Sequence, residues 1–318
     1  MKITFQFEMD KVINLGIPHV GELIFENIDT PGLFKCLEVS ETWKELAENV
    51  LIKRWKGRLL EVCKLGESKI LQLLLDHSET NLNTQNSYGW TGFMLACYNG
   101  HNDVVKLLLN QSKIDLNARK NNGFTGFMLA CMQGHRDVVK LILENSLERN
   151  IYLNARDNCG TTAFHLACRH GPRDVVKLLL DHSDRNIDLN VKDQLGRTAF
   201  MVACIQGRKD IVKLILTHSN RNIDLNARND FGNTAFMWAC QFGHIDVVKL
   251  LVDNYERIDL NARANNGQSP FMVACGIGHK DVVKLLLDNS NRIELNARNN
   301  SGGTAFMWTC KNGCKDVV

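Results

Sequence analysis

Residues 225–252 read LNARNDFGNTAFMWACQFGHIDVVKLLV and contain every part of the unit that the chain repeats. The polar segment NDFGN has the composition of a tight turn, in which Gly232 can adopt a positive φ. Thr234 can then offer its hydroxyl oxygen to the free amides of a helix start. The apolar residues that follow have the spacing of one face of a short helix, namely Phe236, Met237, Ala239 and Cys240.

A second short helix is predicted directly after the first. Gly243 is placed to end the first helix, and Asp246 puts a negative charge in the first turn of the next one, where it suits the helix dipole. The buried face of this helix is expected to consist of Val247, Val248, Leu250 and Leu251. Because a turn, two short helices and a return strand cannot enclose a core, such units must stack.

The unit recurs at a nearly constant period, which one cysteine per copy marks. Counted from one cysteine to the next, the steps are 34 to 37 residues, at Cys97, Cys131, Cys168, Cys204, Cys240, Cys275 and Cys310. Cys63 lies 34 residues before Cys97 and marks a weaker first copy. A period in this range is typical of a solenoid.

The repeated pattern G-x-T, A-C, G-H-x-D-V-V-K-L-L-L and D-L-N-A-R resembles the ankyrin repeat. The resemblance covers residues 58–318, with a degenerate first copy, six full copies and one truncated last copy. It implies an all-α fold, an α-solenoid with short β-hairpin turns. Most copies have Met where the family has His, which remains only as His165. Because no capping repeat follows the truncated copy, we expect the sequence to be a fragment of a longer chain.

Composition excludes several classes of protein. The 318 residues carry a net charge of +3 with no block of like charge, so we expect no nucleic-acid partner. No apolar run reaches the ~18 residues of a membrane span, and residues 1–15 lack the apolar core of a secretory signal. We therefore expect no membrane association and a cytoplasmic or nuclear location.

Most of the eleven cysteines share one helical position, where a buried thiol acts as a small hydrophobe. Their separation by whole repeats lacks the spacing of a zinc site, so we expect no metal and no cofactor; a metal row along the solenoid is the less favoured alternative. The pair Cys310 and Cys314 has no matching histidines. We expect a structural role for the histidines of the G-H pairs, His101, His135, His244 and His279.

Residues 16–57 do not follow the repeat. Their pattern has Ile17-Pro18 at the start, Ile24-Phe25, a turn at DTPG, Trp43, Leu46-Ala47 and finally Trp55. This outline resembles the F-box, a three-helix domain. In that family the domain docks on the adaptor of an SCF-type ubiquitin ligase, which links it to the cullin scaffold.

The F-box resemblance implies that the chain is a substrate-recognition subunit whose repeats hold the protein to be ubiquitinated. Adaptor contact, or the packing that presents it, is expected at Ile17, Pro18, Leu23, Phe25, Leu33 and Trp43. The alternative is a non-ligase ankyrin scaffold or inhibitor, in which these helices only cap the solenoid.

Target binding is expected on the concave face, at turn tips and first-helix positions that vary between copies. Interfaces favour Tyr, Trp, Met and Arg. The expected partner-binding residues are Tyr88, Trp90, Tyr98, Phe124, Met132, Arg169, Leu195, Ile205, Phe231 and Phe242. Alternatively, several of them pack against a neighbouring repeat.

No pattern in the sequence indicates catalysis, since phosphate-binding loops, nucleophile motifs and clustered carboxylates with an acid–base partner are missing from it. We therefore expect a binding protein and not an enzyme. Resemblance to other ankyrin proteins also implies that asparagines of the L-N-A-R segments are candidates for hydroxylation.

Overall fold

The computed structural model describes residues 18–77, 80–182, 187–218 and 222–313, with side chains from Glu22 onward. Ile17, the side chain of Pro18 and the lead 1–15 lie outside the described residues. The chain divides into two compact units, the first comprising Met1–Ala96 and His101–Asp115, the second Cys97–Gly100 and Leu116–Val318. The described residues form eighteen helices and no strand, so the predicted all-α solenoid class is confirmed.

The first unit contains the N-terminal helices and the first copies of the repeat. Its helices are α1 (Pro18–Glu26), α2 (Thr30–Cys36), α3 (Glu41–Trp55), α4 (Leu59–Leu65), α5 (Ser68–His77), α6 (Gly92–Asn99) and α7 (Asn102–Leu109). The last residues of α6 belong to the second unit.

Helices α1 to α3 begin at capping residues and enclose a small core. The carboxylate of Asp29 accepts a hydrogen bond from Gly32 N (2.8 Å), and the Ser40 hydroxyl accepts one from Trp43 N (3.3 Å). In the core, the rings of Phe25 and Trp43 meet edge to face with centroids 5.5 Å apart. Helix α3 packs against α1 and α2, and also against α5 of the weak first copy, so α3 joins the N-terminal helices to that copy.

The second unit continues the helix pairs. Its helices are α8 (Gly126–Gln133), α9 (Arg136–Asn145), α10 (Ala163–His170), α11 (Arg173–Asp181), α12 (Ala199–Ile205), α13 (Lys209–Thr217), α14 (Ala235–Gln241), α15 (Ile245–Asp253), α16 (Pro270–Ile277), α17 (Lys280–Asp288) and α18 (Ala305–Lys311). Within this unit the first helix of each copy packs on the first helix of the next, and the described second helices do the same.

The repeat beginning at Thr234 shows how the motif specifies this stack. The Thr234 hydroxyl caps α14 by accepting a hydrogen bond from Met237 N at 3.4 Å, as predicted. Val247 and Val248 of α15 are fully buried, whereas Leu250 is only half-buried, contrary to the prediction that it lies on the buried face. Apolar area removed from water at such positions drives neighbouring copies together.

The predicted return strand is wrong. The L-N-A-R segments form turns, and at one of them the side chain of Asp224 accepts a hydrogen bond from Asn226 N (3.1 Å), which competes with strand pairing. The predicted tight turn is present: Asn229 N donates to Asn233 O (3.0 Å), and Gly232 has φ +78°. A second backbone hydrogen bond, from Gly232 N to Asn229 O (2.9 Å), also closes this hairpin-like tip.

Candidate partner-binding surface

The motif residues of the second unit tie consecutive repeats together. The side-chain amide of Asn226 donates to Arg257 O (2.9 Å), while its carbonyl oxygen accepts from Asp259 N (2.8 Å). The same two-bond bridge is made by Asn117, Asn190 and Asn261. These asparagines of the L-N-A-R segments therefore join repeats; their hydroxylation stays a prediction.

A second ladder uses the cation at the end of L-N-A-R. The side chain at this position donates a hydrogen bond to the backbone carbonyl of the equivalent residue one repeat later. The residues that make this bond are Arg119, Arg156, Lys192, Arg228 and Arg263. Because these groups satisfy carbonyls of the neighbouring repeat, their positive charges are held in fixed places by the stack.

The histidines of the G-H pairs form a third ladder. In the second unit Nε2 of His135, His244 and His279 donates to a carbonyl of the preceding repeat at 2.8 Å in each case. Where the sequence has Arg208 in this position, its guanidinium donates to the carbonyls of Arg169 and Gly171 (3.2 and 2.9 Å). In the first unit His101 bonds Lys64 O at 2.9 Å. The expected structural role of these histidines is confirmed.

Seven of the eight repeat cysteines are buried, as expected, but Cys310 is exposed. Among the described residues no helix follows α18 to cover it. Burial raises the pKa of Cys63 to about 12 and raises the pKa of Cys131, Cys168, Cys204 and Cys240 as well. In the described part of the chain no three His, Cys, Asp or Glu side chains are grouped to hold a metal ion. Cys314, the other half of the C-x-x-x-C pair, lies outside it.

The expected adaptor residues differ sharply in exposure. Phe25 and Leu33 are fully buried and Trp43 is nearly so, which gives them a packing role in the core of α1 to α3. Leu23 is 59% exposed on α1. Of the described side chains in this group, Leu23 alone is available for contact with another protein.

In the first unit, two expected partner-binding residues share one turn tip. Tyr88 is 68% exposed and Trp90 is half-buried. Their backbone amides both donate to the side-chain oxygen of Asn86, at 3.0 and 3.1 Å, which fixes the tip.

In the second unit, the remaining expected residues divide into two groups. Half-buried are Tyr98, Phe124, Met132, Arg169 and Ile205; exposed are Leu195, Phe231 and Phe242. The Phe242 ring stacks on Trp238 (5.9 Å between centroids) and on His244 (6.1 Å) of its own repeat. Burial lowers the pKa of His170, and so do the nearby positive charges of Arg169 and Arg208.

The structure brings Phe231 together with residues that the expected binding set omits. A cleft of about 230 Å³ is lined by Phe231, Asn233, Gln241, Ala264, Asn266, Gln268, Met272, Val273, Gly276, Ile277, Trp308 and Asn312. Gly276 gives no signal as a binding residue in the sequence, since a glycine contributes no side chain. The signal that could have found it is the comparison of copies, because every full copy except its own has a side chain in that position.

No helix of the described residues is both long and apolar enough to cross a membrane.

Comparison with known families agrees with the observed repeats. The family described as ankyrin repeats matches residues 59–157, 115–193, 149–229, 185–264 and 256–318, which together span 59–318. No F-box domain was detected, and residues 16–57 lie outside the match. A search of curated proteins found no match. The chain belongs to the ankyrin-repeat family, and its repeats form a protein–protein interaction module.

Proposed function

We propose that this chain is the substrate-recognition subunit of an SCF-type cullin ubiquitin ligase. Helices α1 to α3 dock the adaptor, which carries the cullin scaffold, and the ankyrin repeats hold the target. The chain acts by binding and carries no catalytic step of its own. Because the adaptor would have to reach it, the protein works in the cytoplasm or nucleus.

The observation that carries the proposal is the exposure of Leu23 above a core that the same three helices build. Phe25, Leu33 and Trp43 are buried beneath it, so α1 is held in place by packing. A large apolar side chain left 59% exposed on a rigid helix is a suitable anchor for another protein. The sequence pattern that resembles the F-box supplies the class of partner.

A second candidate, a scaffold or inhibitor without a ligase role, is favoured by a different observation. Helix α3 packs directly on α5, so one N-terminal helix already covers a helix of the first copy of the repeat. If the N-terminal helices only cap the solenoid, this contact is sufficient and no adaptor is required. The two functions differ only in whether the exposed side of α1 binds the adaptor.

The test measures binding of the purified adaptor to the full chain by isothermal titration calorimetry. Leu23→Asp should weaken binding by about 2 kcal/mol or more, as expected for a central apolar anchor. The control is Leu65→Asp, which changes a leucine of the same unit that is 53% exposed on α4. It should bind the adaptor like the wild type.

Trp43→Ala is unsuitable for this measurement, because Trp43 is 7% exposed and its loss would damage the core. A wild-type chain that does not bind the adaptor, or equal binding by wild type and Leu23→Asp, would refute the ligase proposal. The scaffold function would then be favoured.

A further inference from the structure

We propose that the cleft around Gly276 receives one large, uncharged side chain from an extended segment of a partner protein. This inference deepens the proposed function, because it names the chemistry that one part of the repeat surface recognises. It rests on the repeats being a binding module and does not depend on adaptor docking.

Gly276 differs from its equivalents in every other full copy. The residue after the repeat cysteine has a side chain elsewhere, at Tyr98, Met132, Arg169, Ile205 and Gln241. Gly276 lies inside helix α16, and a Cβ there would meet only ordinary contacts, 3.6 Å from Trp308 Cβ and 3.7 Å from Asn312 Nδ2. Neither the backbone nor the packing requires glycine, although glycine costs a helix about 0.5–1 kcal/mol. Its effect is to leave the cleft open.

The lining of the cleft carries no charge, and it combines apolar side chains with the carboxamides Asn233, Gln241, Asn266, Gln268 and Asn312. Phe231 is 62% exposed, Ile277 is 49% exposed, and Trp308 is half-buried beside them. Lys311 is held over the Trp308 ring, 5.1 Å from its centroid, and is not among the lining residues. A charged side chain would lose water here without gaining an opposite charge, so the occupant is uncharged.

The size of the cleft favours one side chain over a small-molecule ligand. Its volume is about 230 Å³, below the ~300–1,000 Å³ of pockets that enclose drug-sized molecules. An aromatic or long aliphatic side chain has a matching size, and its apolar surface can pack on Phe231, Ile277 and Trp308.

Two carboxamides in the lining favour a peptide as the source of that side chain. Asn233 and Gln241 are half-buried, and in the described part of the chain their side-chain amides make no hydrogen bond. By contrast, Asn266 Nδ2 donates to Gln268 Oε1 at 2.8 Å. A primary amide both donates and accepts, as the main chain of an extended segment requires.

Gly276→Met is the decisive variant. Met132 occupies the equivalent position of another copy, so the fold tolerates this side chain. The substitution should leave the melting temperature unchanged or raise it, because it removes a helical glycine. It should fill the cleft and block its occupant. The control, Lys280→Met, adds the same side chain at the exposed start of α17 in the same repeat.

The probe is a phage-displayed library of random dodecapeptides selected on the full wild-type chain. Enriched peptides should share one Phe, Trp, Leu or Met, and replacing it by Ala should weaken binding at least about tenfold. Gly276→Met should weaken the same peptides to a similar extent, and Lys280→Met should not. Fluorescence polarisation with labelled peptides measures all three effects.

Three results would overturn the inference: no enriched peptide, a required charged residue at the shared position, or equal binding to wild type and Gly276→Met. Adaptor binding, measured on the same Gly276→Met protein, reports separately on the ligase proposal. If the wild-type chain fails to bind the adaptor in the Leu23 experiment, the ligase proposal is refuted and the proposal for the cleft still stands.

Discussion

Asn226 donates from its side-chain amide to the carbonyl oxygen of Arg257, 2.9 Å away in the next repeat. The bond joins the turn after one helix pair to the loop after the following pair. Because the donor and the acceptor lie in different repeats, this bond forms only when the two repeats are stacked.

Asn226→Ala should therefore destabilise the second unit. Two hydrogen bonds are lost at a largely exposed site, so the free energy of unfolding should fall by about 1–2 kcal/mol in urea denaturation. Asn291→Ala changes an exposed asparagine that is outside this ladder and is the control. An effect of Asn226→Ala no larger than that of the control would contradict the bridging role.

The cation ladder predicts that lysine can replace arginine in it. Lys192 already donates from Nζ to Arg228 O at 2.9 Å. Arg228→Lys should thus be nearly neutral, whereas Arg228→Met should cost about 1 kcal/mol, because the carbonyl of Arg263 loses its donor. The measurement is again urea denaturation, and equal losses in both variants would show that the ladder bond does not stabilise the stack.

Because the pKa of His165 is lowered, we expect the free energy of unfolding to fall in acid. Burial lowers its pKa below the ordinary 6.5, and its Nδ1 accepts a hydrogen bond from the Thr162 hydroxyl (2.9 Å) that protonation would remove. As pH falls below 6.5 the unfolded state binds more protons than the folded state, so this contribution to stability is present above 6.5 and is lost below it.

His165→Met should reduce the fall in melting temperature between pH 7.5 and pH 5.5, as measured by circular dichroism. Met201 occupies the equivalent position of the next copy, so the variant should fold. Met201→Leu is the control without a titratable group and should keep the wild-type slope. An unchanged slope in His165→Met would assign the acid loss to other groups.

Thiol reactivity should follow burial. Cys159 and the repeat cysteine Cys310 are exposed, whereas the seven other repeat cysteines are buried, and burial raises the pKa of Cys63 to about 12. Because the thiolate is the reactive form, maleimide should modify Cys159 and Cys310 of the folded protein well before any buried thiol. Mass spectrometry of the digest locates the adducts, and the same reaction in guanidinium is the control. Early labelling of Cys168 would contradict the packing.

The N-terminal helices show most clearly what the structure adds to the sequence pattern. The pattern of Phe25, Leu33 and Trp43 indicates apolar helix positions, but pattern alone does not separate a side chain that packs inward from one that faces a partner. The T-shaped contact of Phe25 with Trp43 makes that separation, and it leaves Leu23 as the exposed member. The prediction of a return strand was wrong for a related reason. The amide of Asn226 can donate either to a neighbouring strand or to the side chain of Asp224, and the sequence does not show which acceptor it uses.

By itself the sequence determined the stack: the period, the capping residues of the first helices, most of the buried face of the second helix except Leu250, and the structural use of the G-H histidines. These follow from local spacing, which repeats in every copy and so is reinforced by each neighbour. Only the tertiary structure decided which varying residues meet. Phe231, Gly276 and Trp308 belong to three different copies and occupy different positions in them, and they line one cleft because stacking places consecutive repeats side by side. The absence of a side chain at Gly276 leaves an open cleft only when the neighbouring repeats supply its walls.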